Sequence, residues 1–308
     1  MMIEIEVLKA GLFSSIQDSG RSGLRSFGVP SSGAMDEWSA AIANALLGND
    51  QNEPVIEMTL LGASFRFHAD AEIALTGADM QPKLNDAPIE MHKSLEVKKG
   101  DVLDFGSARK GCRTYLGVLG RWKVPKIMGS ASVYQVGGFG KALQKGDHIS
   151  IENEERSGRA AKLTSAKGKI YLPSSLKLRF ISGPEWNDLD AAQQADFQQW
   201  SYEVQSNSDR MGIRLRSDKA LNIEREPMLS SPTATGCIQL TNSGHPVVLM
   251  RDGQTTGGYP RLGTVIRMDL NRLAQLKPGD RASFARISYE EAAVLLKAYR
   301  KNLNELFS

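Results

Sequence analysis

The stretch Lys99-Gly-Asp-Val-Leu-Asp-Phe105 joins a turn to the start of an alternating run, and this pattern decides the fold. Gly and Asp are turn residues, and alternation of apolar and polar residues predicts a half-buried strand. The same turn occurs at Lys145-Gly-Asp147 and at Pro278-Gly-Asp280. A turn that repeatedly leads into a strand predicts a β-rich chain.

Short alternating or β-branched runs recur along the whole chain, and Gly, Pro, Asn or Asp separates most of them. These runs are Ile3–Leu8, Ser64–Phe67, Glu72–Thr76, Val102–Phe105, Thr114–Leu119, Leu176–Ser182, Val247–Met250, Thr264–Met268 and Ala282–Ile287. Such spacing is typical of an all-β barrel or sandwich. The 29 glycines among 308 residues exceed the average share and agree with many tight turns.

Helical periodicity is confined to a few segments. It predicts helices over Met35–Leu47, which Gly48 ends, and over Asn187–Trp200. A third helix is expected to begin at the capping box Ser288-Tyr-Glu-Glu291 and to run toward the end of the chain. The predicted fold class is therefore mainly β with a few helices.

Four short motifs occur twice and in the same order, which indicates a duplicated β domain. The pairs are Asp18–Arg25 with Asp209–Arg214, Ile56–Thr59 with Ile238–Thr241, Thr76–Ala78 with Thr256–Gly258, and Lys99–Asp101 with Pro278–Asp280. The charged segment Glu152–Lys169 between them is typical of a linker. We expect two domains, residues 1–155 and 156–308. The helices do not align, so the duplication is either old or rearranged.

Composition excludes several classes of function. The 38 basic and 35 acidic residues give a net charge of +3, too small for a strongly electrostatic nucleic-acid binder. No stretch approaches the roughly 20 apolar residues of a membrane span, and the first residues do not resemble a secretory signal. Cys112 and Cys237 lie far apart, as expected for buried thiols in a reducing compartment. We expect a cytoplasmic protein.

Standard catalytic signatures are absent from the sequence. The four histidines are scattered without metal-ligand spacing, so no metal site is predicted. The glycine-rich segment Gly137–Lys141 lacks the first glycine of a phosphate loop, and Ala142 stands where that loop needs Ser or Thr. A GxSxG nucleophile elbow does not occur either.

The densest polar segment is Asp252-Gly-Gln-Thr-Thr-Gly-Gly-Tyr-Pro260, which follows an apolar strand. Successive amides of a Thr-Gly-Gly turn can form an anion-binding nest, with the hydroxyls of Thr255 and Thr256 as further donors. Asp252 is a candidate base or cation ligand, and Gln254 and Tyr259 offer directional hydrogen bonds. A tight hairpin held by threonine hydroxyls is an equally good interpretation of these residues.

A second polar segment, Gln17–Gly23, continues to a predicted helix start at Asp36. Arg21 could grip a carboxylate or phosphate through two parallel bonds. The structural alternative is an Asp18–Arg21 ion pair with Asp36 as a helix cap, which we favour for Asp36 and not for Arg21.

The segment Ser206–Gly212 supplies a third set of candidates. Asn207 and Arg210 are the plausible ligand contacts. Asp209 is expected to hold the turn instead.

These segments together resemble a known family. The blocks SSIQDSGRSGLRSFGVPSSGAMD, NALLGN, IEMTLLG, ALTGAD, SNSDRMGIRL and DGQTTGGYPR are similar to the signature blocks of the 5-oxoprolinase C subunits. That family also includes the KipA-type proteins and the allophanate-hydrolase subunit 2 domain of urea carboxylases. The blocks follow the family order from residue 11 to about residue 285 and cover nearly the whole chain.

The resemblance implies tandem cyclophilin-like β-barrel domains and ATP-dependent opening of the lactam 5-oxo-L-proline to L-glutamate, together with separate A and B subunits. ATP would serve as cosubstrate with Mg²⁺, without nucleic acid or membrane partners. Asp252, Arg21 and Arg210 are the implied catalytic residues. The implied substrate- or ATP-binding residues are Gln17, Asp18, Asp36, Asn207, Gln254, Thr255, Thr256, Gly257, Gly258 and Tyr259.

Two alternatives remain open within the resemblance. One is a carboxyltransferase-type component of a biotin-dependent urea or amide carboxylase, whose biotin carrier would be a separate protein because no acceptor motif occurs here. The other is a KipA-like regulatory binding module. The chain also departs from its relatives at Arg121-Trp122, where they commonly have small residues, and this bulky pair could reshape a pocket or an interface.

Overall fold

The computed structural model describes residues 2–153, 170–223 and 228–307, and within them strands outnumber helices. The described residues divide into two compact units. The first contains those of Met1–Arg21, Ser32–Leu172 and Lys301–Ser308, and the second those of Ser22–Ser31 and Pro173–Arg300. The mainly β fold expected from the sequence is confirmed.

The first unit is built from two antiparallel sheets. Its strands are β1 (Met2–Lys9), β2 (Phe13–Gln17), β3 (Val55–Thr59), β4 (Ser64–Phe67), β5 (Ala71–Asp79), β6 (Lys83–Leu84), β7 (Ala87–Pro88), β8 (Ser94–Val97), β9 (Val102–Asp104), β10 (Lys110–Val118), β11 (Arg121–Trp122) and β12 (His148–Glu152). The described strands pair in the orders β11-β12-β1-β4-β9-β6-β7 and β2-β3-β10-β5-β8.

Both sheets of the first unit contribute to one apolar core. The alternation predicted for the first strand places Ile3, Ile5 and Val7 of β1 inside and its polar residues outside. Leu116 and Val118 of β10 belong to the same core from the other sheet. Burial of these apolar faces is the main favourable contribution to folding of the unit.

The departure at Arg121-Trp122 belongs to this core rather than to a pocket wall. Trp122 is 4% exposed and packs among the core residues, whereas Arg121 is exposed. The main-chain N–H of Trp122 donates to Oε2 of Glu53 at 3.3 Å. The tryptophan therefore fills the interior of the first unit.

The second unit is a closed barrel. Its strands are β13 (Ser175–Ser182), β14 (Tyr202–Val204), β15 (Gly212–Arg216), β16 (Ser231–Pro232), β17 (Cys237–Leu240), β18 (Pro246–Leu249), β19 (Thr256–Gly257), β20 (Arg261–Val265) and β21 (Arg281–Arg286). The described strands close in the order β13-β20-β17-β18-β15-β14-β21, and β16 pairs with β19 outside the barrel. Closure leaves no unpaired edge in the barrel wall.

Aromatic side chains fill the second unit. Phe197 stacks on Phe284 with ring centroids 4.4 Å apart, and Phe180 meets Phe197 edge-on at 5.6 Å. Trp186 and Tyr202 complete the cluster, and all five side chains are buried. Such offset and edge-on pairs stabilise a core beyond the area that they bury.

The described helices are α1 (Glu37–Leu47), α2 (Ala191–Gln199), α3 (Arg267–Leu273) and α4 (Tyr289–Glu305). Gly48 ends α1 in the left-handed conformation, as predicted. The capping box at the start of α4 is also confirmed, because Ser288 and Glu291 exchange side-chain to main-chain hydrogen bonds. The second predicted helix begins later than expected, at Ala191, because Asp190 caps it through the N–H of Gln193.

The predicted strand Thr264–Met268 is wrong in its second half. The strand ends at Val265, and the helix α3 begins at Arg267. Asp269 in its first turn is fully buried and accepts hydrogen bonds from Nε and Nη2 of Arg179 at 2.9 and 2.6 Å. This contact with β13 stabilises the start of α3. It cannot be predicted from neighbouring residues, because Arg179 and Asp269 are 90 residues apart.

The predicted domain boundary between residues 155 and 156 lies outside the described residues, as does most of the predicted linker. That boundary stays a prediction. In the part of the chain that the structure describes, no helix is long and apolar enough to cross a membrane.

Candidate functional site

Asp18 lies at the end of β2 and is the centre of a buried hydrogen-bond cluster in the first unit. Its Oδ1 accepts from the hydroxyls of Ser130 at 2.5 Å and Ser132 at 2.6 Å, and from the N–H of Gly20 at 2.8 Å. Its Oδ2 accepts from the N–H of Ala131 at 2.7 Å. The carboxylate therefore holds the loop around Ser130 in place.

Arg21 binds the same loop from its other end. Its Nε donates to the carbonyl of Ile127 at 3.1 Å, and its Nη2 donates to that of Ser132 at 2.8 Å. The guanidinium also lies over the ring of Phe139, 4.9 Å from its centroid. Gln17 donates to the carbonyl of Val133 at 3.2 Å. Gln17, Asp18 and Arg21 thus converge on residues 127–133.

A cavity of about 340 Å³ lies beside this loop. Arg21, Lys123 and Lys141 line it together with apolar side chains that include Ile16 and Phe139. Asp147 also lines this cavity and binds Lys141 at 2.9 Å, so the anion-binding role of Arg21 stays a prediction.

Asp36 is the N-cap of α1, which confirms the structural interpretation of this residue. Its Oδ1 accepts from the N–H of Ser39 at 3.1 Å, and its own N–H donates to the hydroxyl of Tyr115 at 2.8 Å. That hydroxyl donates to Oε2 of the fully buried Glu57 at 2.9 Å. Burial raises the pKa of Tyr115 well above its usual value. Asp36 therefore belongs to a buried polar network.

Two of the predicted catalytic residues meet in the second unit. Nε of Arg210 donates to Oδ2 of Asp252 at 2.8 Å, and its Nη2 donates to Oδ1 at 3.3 Å. Both side chains are only 9% exposed. The pair also shares a main-chain bond from the N–H of Asp252 to the carbonyl of Arg210. Such a bidentate pair fixes the loop after β18.

The predicted anion-binding nest is wrong. Thr256 and Gly257 form the short strand β19, which pairs with Ser231 and Pro232 of β16. A nest needs neighbouring residues of opposite handedness, and the described residues 252–260 include none with positive φ. The partner strand β16 lies outside Asp252–Pro260, so the described pairing is not the tight hairpin of the alternative interpretation either.

The remaining predicted residues of the second unit occupy its surface. Asn207, Thr256 and Gly258 are exposed, Tyr259 is 39% exposed, and Thr255 is half-buried. Their polar groups are accessible to a ligand.

Arg25, on a short 3-10 turn, is a residue to which the sequence assigned no role. Its Nη2 donates to the carbonyls of Thr233 at 3.0 Å and Gln254 at 3.1 Å. Its Nη1 is buried without a hydrogen-bond partner among the described residues. Burial lowers the pKa of Arg25 from its usual value, and the nearby Cys237 opposes this shift. A desolvated guanidinium favours an anionic partner.

Gln239 of β17 carries a second such donor. It is 2% exposed, and its Oε1 accepts from Nε2 of Gln254 at 2.9 Å. Its own Nε2 is buried without a partner in the described part of the chain. A buried donor left unsatisfied costs about 1–3 kcal/mol unless a water or another group satisfies it.

Sequence signals for these two residues existed but were interpreted differently. Arg25 belongs to the first repeated motif and Gln239 to the second, where each served only to support the duplication. The sequence does not show which of their side-chain donors are buried without a partner, and only the folded structure does.

The predicted site residues thus form separate groups. Gln17, Asp18 and Arg21 meet in the first unit, where Asp36 caps a helix; Arg210 meets Asp252 in the second. Gln254 joins Arg25 to Gln239 there. Among the described residues, no cluster of three His, Cys, Asp or Glu side chains could hold a metal ion.

Comparison with known proteins gives a consistent result. The family model for the carboxyltransferase domain, subdomain A and B, matches residues 27–286. The 5-oxoprolinase C subunit of Escherichia coli is 36% identical over 292 residues, which cover 94% of this chain and 93% of that protein. The protein of the same name from Haemophilus influenzae is 35% identical over 97% of this chain and 95% of its own length.

A solved structure agrees with these relatives. The urea amidolyase of K. lactis superposes with a TM-score of 0.88 at 29% identity, over 98% of this chain. This chain spans only 20% of that much longer protein.

Proposed function

Because the chain belongs to the family of carboxyltransferase domains (subdomain A and B) that includes the 5-oxoprolinase C subunits, we propose that it acts in an ATP-dependent 5-oxoprolinase. This complex would open 5-oxo-L-proline to L-glutamate, with A and B subunits as partners. The observation that carries the proposal is the 36% identity to a 5-oxoprolinase subunit over 93% of that subunit's length.

Opening of the lactam ring requires activation of a stable amide. A lactam carbonyl resists attack by water. Phosphorylation of its oxygen by ATP releases ADP and makes the carbonyl carbon more electrophilic, so that water adds to it. The C–N bond then breaks as the nitrogen takes a proton, and a second water hydrolyses the resulting acyl phosphate to L-glutamate and phosphate.

The proposal has Arg21 and Arg210 stabilise phosphate or carboxylate oxygens, and has Asp252 position a proton transfer or a magnesium ion. The exposed hydroxyls of Thr256 and Tyr259 support a binding role for the segment that Asp252 and Arg210 hold.

ATP, accompanied by Mg²⁺, is proposed as the cosubstrate of the complex. The sequence has no phosphate loop, so we propose that ATP recognition is shared with a partner subunit. The chain by itself is then expected to be inactive.

The direct test is to copurify the chain with candidate A and B subunits and to measure glutamate release from 5-oxo-L-proline with ATP. We expect turnover only by the assembled complex. Glutamate release by the purified chain alone would contradict the shared site, and lack of turnover by a stable complex would contradict the proposed reaction.

Substitutions separate catalysis from assembly. Arg21→Lys and Asp252→Asn are expected to reduce turnover, and each variant that circular dichroism shows to be folded should still copurify with the A and B subunits. A regulatory module would instead show unchanged turnover with these variants, because its function would rest on partner binding alone.

A second candidate is a carboxyl-transfer role with a separate biotin carrier. The superposition on urea amidolyase, with a TM-score of 0.88, favours it. Stimulation of the complex by a biotinylated carrier and bicarbonate would support this function, and indifference to avidin would argue against it.

We also propose that the protein works in the cytoplasm. Cys112 and Cys237 are both buried, which suits a reducing compartment. Cell fractionation followed by immunodetection of the chain tests this location.

A further inference from the structure

One face of α4 forms a wall of a cavity of about 360 Å³ in the second unit. The helix contributes Tyr289, Ala292, Ala293, Leu296 and Arg300, whose spacing places them on one helix face. The two alanine side chains are small and leave space between α4 and the strands β13 and β20, which also line the cavity. None of the predicted site residues is among its described lining residues. A cavity of this size can hold a small organic ligand.

The interior of this cavity is apolar. Val265 and Leu270 are buried, and Ile181, Ile266 and Leu296 are half-buried. An apolar group that enters the cavity loses its contact with water, which is favourable. The cavity therefore suits the hydrocarbon part of a ligand.

Three arginines, Arg251, Arg267 and Arg300, also line the cavity. Arg251 lies in the loop after β18, Arg267 begins α3, and Arg300 belongs to α4. None of the described lining residues is Asp or Glu. Arg267 and Arg300 are exposed and Tyr289 is 73% exposed, so the cavity is open to solvent at these residues. A ligand can therefore enter it.

The carboxylates closest in sequence to two of these arginines bind other residues. Asp252 accepts from Nε of Arg210 at 2.8 Å. Asp269 accepts from Nε and Nη2 of Arg179 at 2.9 and 2.6 Å. The lining of the cavity is therefore positively charged and favours an anion.

We propose that this cavity binds a small anion with an apolar body. The carboxylate or phosphate group of the ligand accepts hydrogen bonds from the lining guanidiniums, which match the geometry of such groups. Its hydrocarbon part packs against Val265 and Leu270 and is removed from water. The inference does not depend on the proposed function, because none of the proposed catalytic residues is among the described lining residues.

The test is isothermal titration calorimetry of the full purified chain with octanoate, octyl phosphate and uncharged 1-octanol, whose hydrocarbon chains are similar in length. We expect at least one of the two anions to bind at least about 10-fold more tightly than 1-octanol, because only the anions carry a charge for the guanidiniums. Acetate and inorganic phosphate, which have almost no hydrocarbon, should bind more weakly than the corresponding long-chain anion.

Arg267→Gln and Arg300→Gln each remove a charge and a forked donor from the lining. Each should weaken binding of the tighter anion about 5- to 10-fold and leave 1-octanol binding unchanged. Arg214→Gln removes the same charge at an exposed position of β15 that does not line the cavity, and it should have no effect. An equal loss in all three variants would show a general effect of charge and overturn the inference.

Ala292→Phe fills the cavity from α4 and should abolish binding of all three long-chain ligands. Ala298→Phe makes the same change at an exposed position of the same helix and should bind them like the unmodified chain. Circular dichroism shows whether each variant is folded, and the arginine variants test the site if Ala292→Phe is not. Unchanged anion binding by folded Ala292→Phe would place the ligand elsewhere and contradict the inference.

Two results with the unmodified chain would also overturn the inference. One is the absence of binding of both long-chain anions up to about 10 mM. The other is binding of both anions no tighter than that of 1-octanol, which would show that the arginines contribute nothing to the site.

Discussion

Asp18 and Asp252 are buried carboxylates, and each accepts several hydrogen bonds that hold a neighbouring segment in place. Asp18 holds the loop around Ser130, and Asp252 holds Arg210. In both places a charge is stabilised by donors that surround it, so its removal leaves those donors unsatisfied. A catalytic role for either residue must be compatible with this structural one.

Replacing Asp252 by Asn is expected to destabilise the protein. The change removes the carboxylate that Arg210 binds through two of its nitrogens, and breaking a buried pair from one side costs about 3–5 kcal/mol. Urea denaturation monitored by tryptophan fluorescence measures the loss. The double variant Asp252→Asn with Arg210→Gln should recover part of it, and an additive loss would contradict the pairing.

A second residue-scale prediction concerns pH. Burial raises the pKa of Glu53, opposed by the N–H of Trp122 and by the charge of Lys126. Because the pKa in the folded state lies above that in the unfolded chain, ionisation favours unfolding as the pH rises through its usual value of 4.5.

Glu53→Gln should therefore increase the free energy of unfolding at pH 7 relative to the unmodified protein, and do so less at pH 3.5. Urea denaturation at the two pH values tests it, with the exposed Glu96→Gln as the control. An equal effect of Glu53→Gln at both pH values would contradict the raised pKa.

At the scale of elements, the Gly-Asp turns are the most regular feature of the chain. Gly100, Gly146 and Gly279 all have positive φ, between 85° and 95°. In each turn the Asp carboxylate accepts from a main-chain N–H three residues earlier, at 2.7 to 2.9 Å. Each turn leads into a strand, as the sequence predicted.

Gly279→Ala should destabilise the protein by about 1 kcal/mol, because a residue with a Cβ atom strains the left-handed conformation. Open space surrounds Gly100, Gly146 and Gly279, so alanine at each should have a similar cost. Thermal unfolding of the three variants measures it. A much larger loss at one position would show a further constraint there.

Local sequence patterns predict the turns and helix ends well, but they do not predict elements that depend on contacts between distant residues. The turns, the α1 stop at Gly48 and the α4 capping box depend on residues close in sequence. The helix α3 depends on a bond between Asp269 and Arg179, which are 90 residues apart. A pattern that spans a few residues cannot contain such a contact.

At the scale of the whole molecule, burial should protect both thiols. Cys112 and Cys237 are each 4% exposed. A thiol-reactive dye should label neither cysteine in the folded protein and both after denaturation, because the reactive thiolate is exposed only then. Rapid labelling of the native chain would contradict this burial.

The sequence by itself determined the mainly β fold, most element positions, the turn chemistry and the family resemblance, because each depends on local patterns or on signature blocks. The sequence also identified Arg21, Arg210 and Asp252 as candidate catalytic residues. Only the tertiary structure decided that Asp252 pairs with Arg210, that Thr256 and Gly257 form a short strand, and that Arg25 Nη1 and Gln239 Nε2 are buried without a partner among the described residues. Arg25 and Thr233 are 208 residues apart, and only folding decides which polar atoms are buried and which of them find a partner.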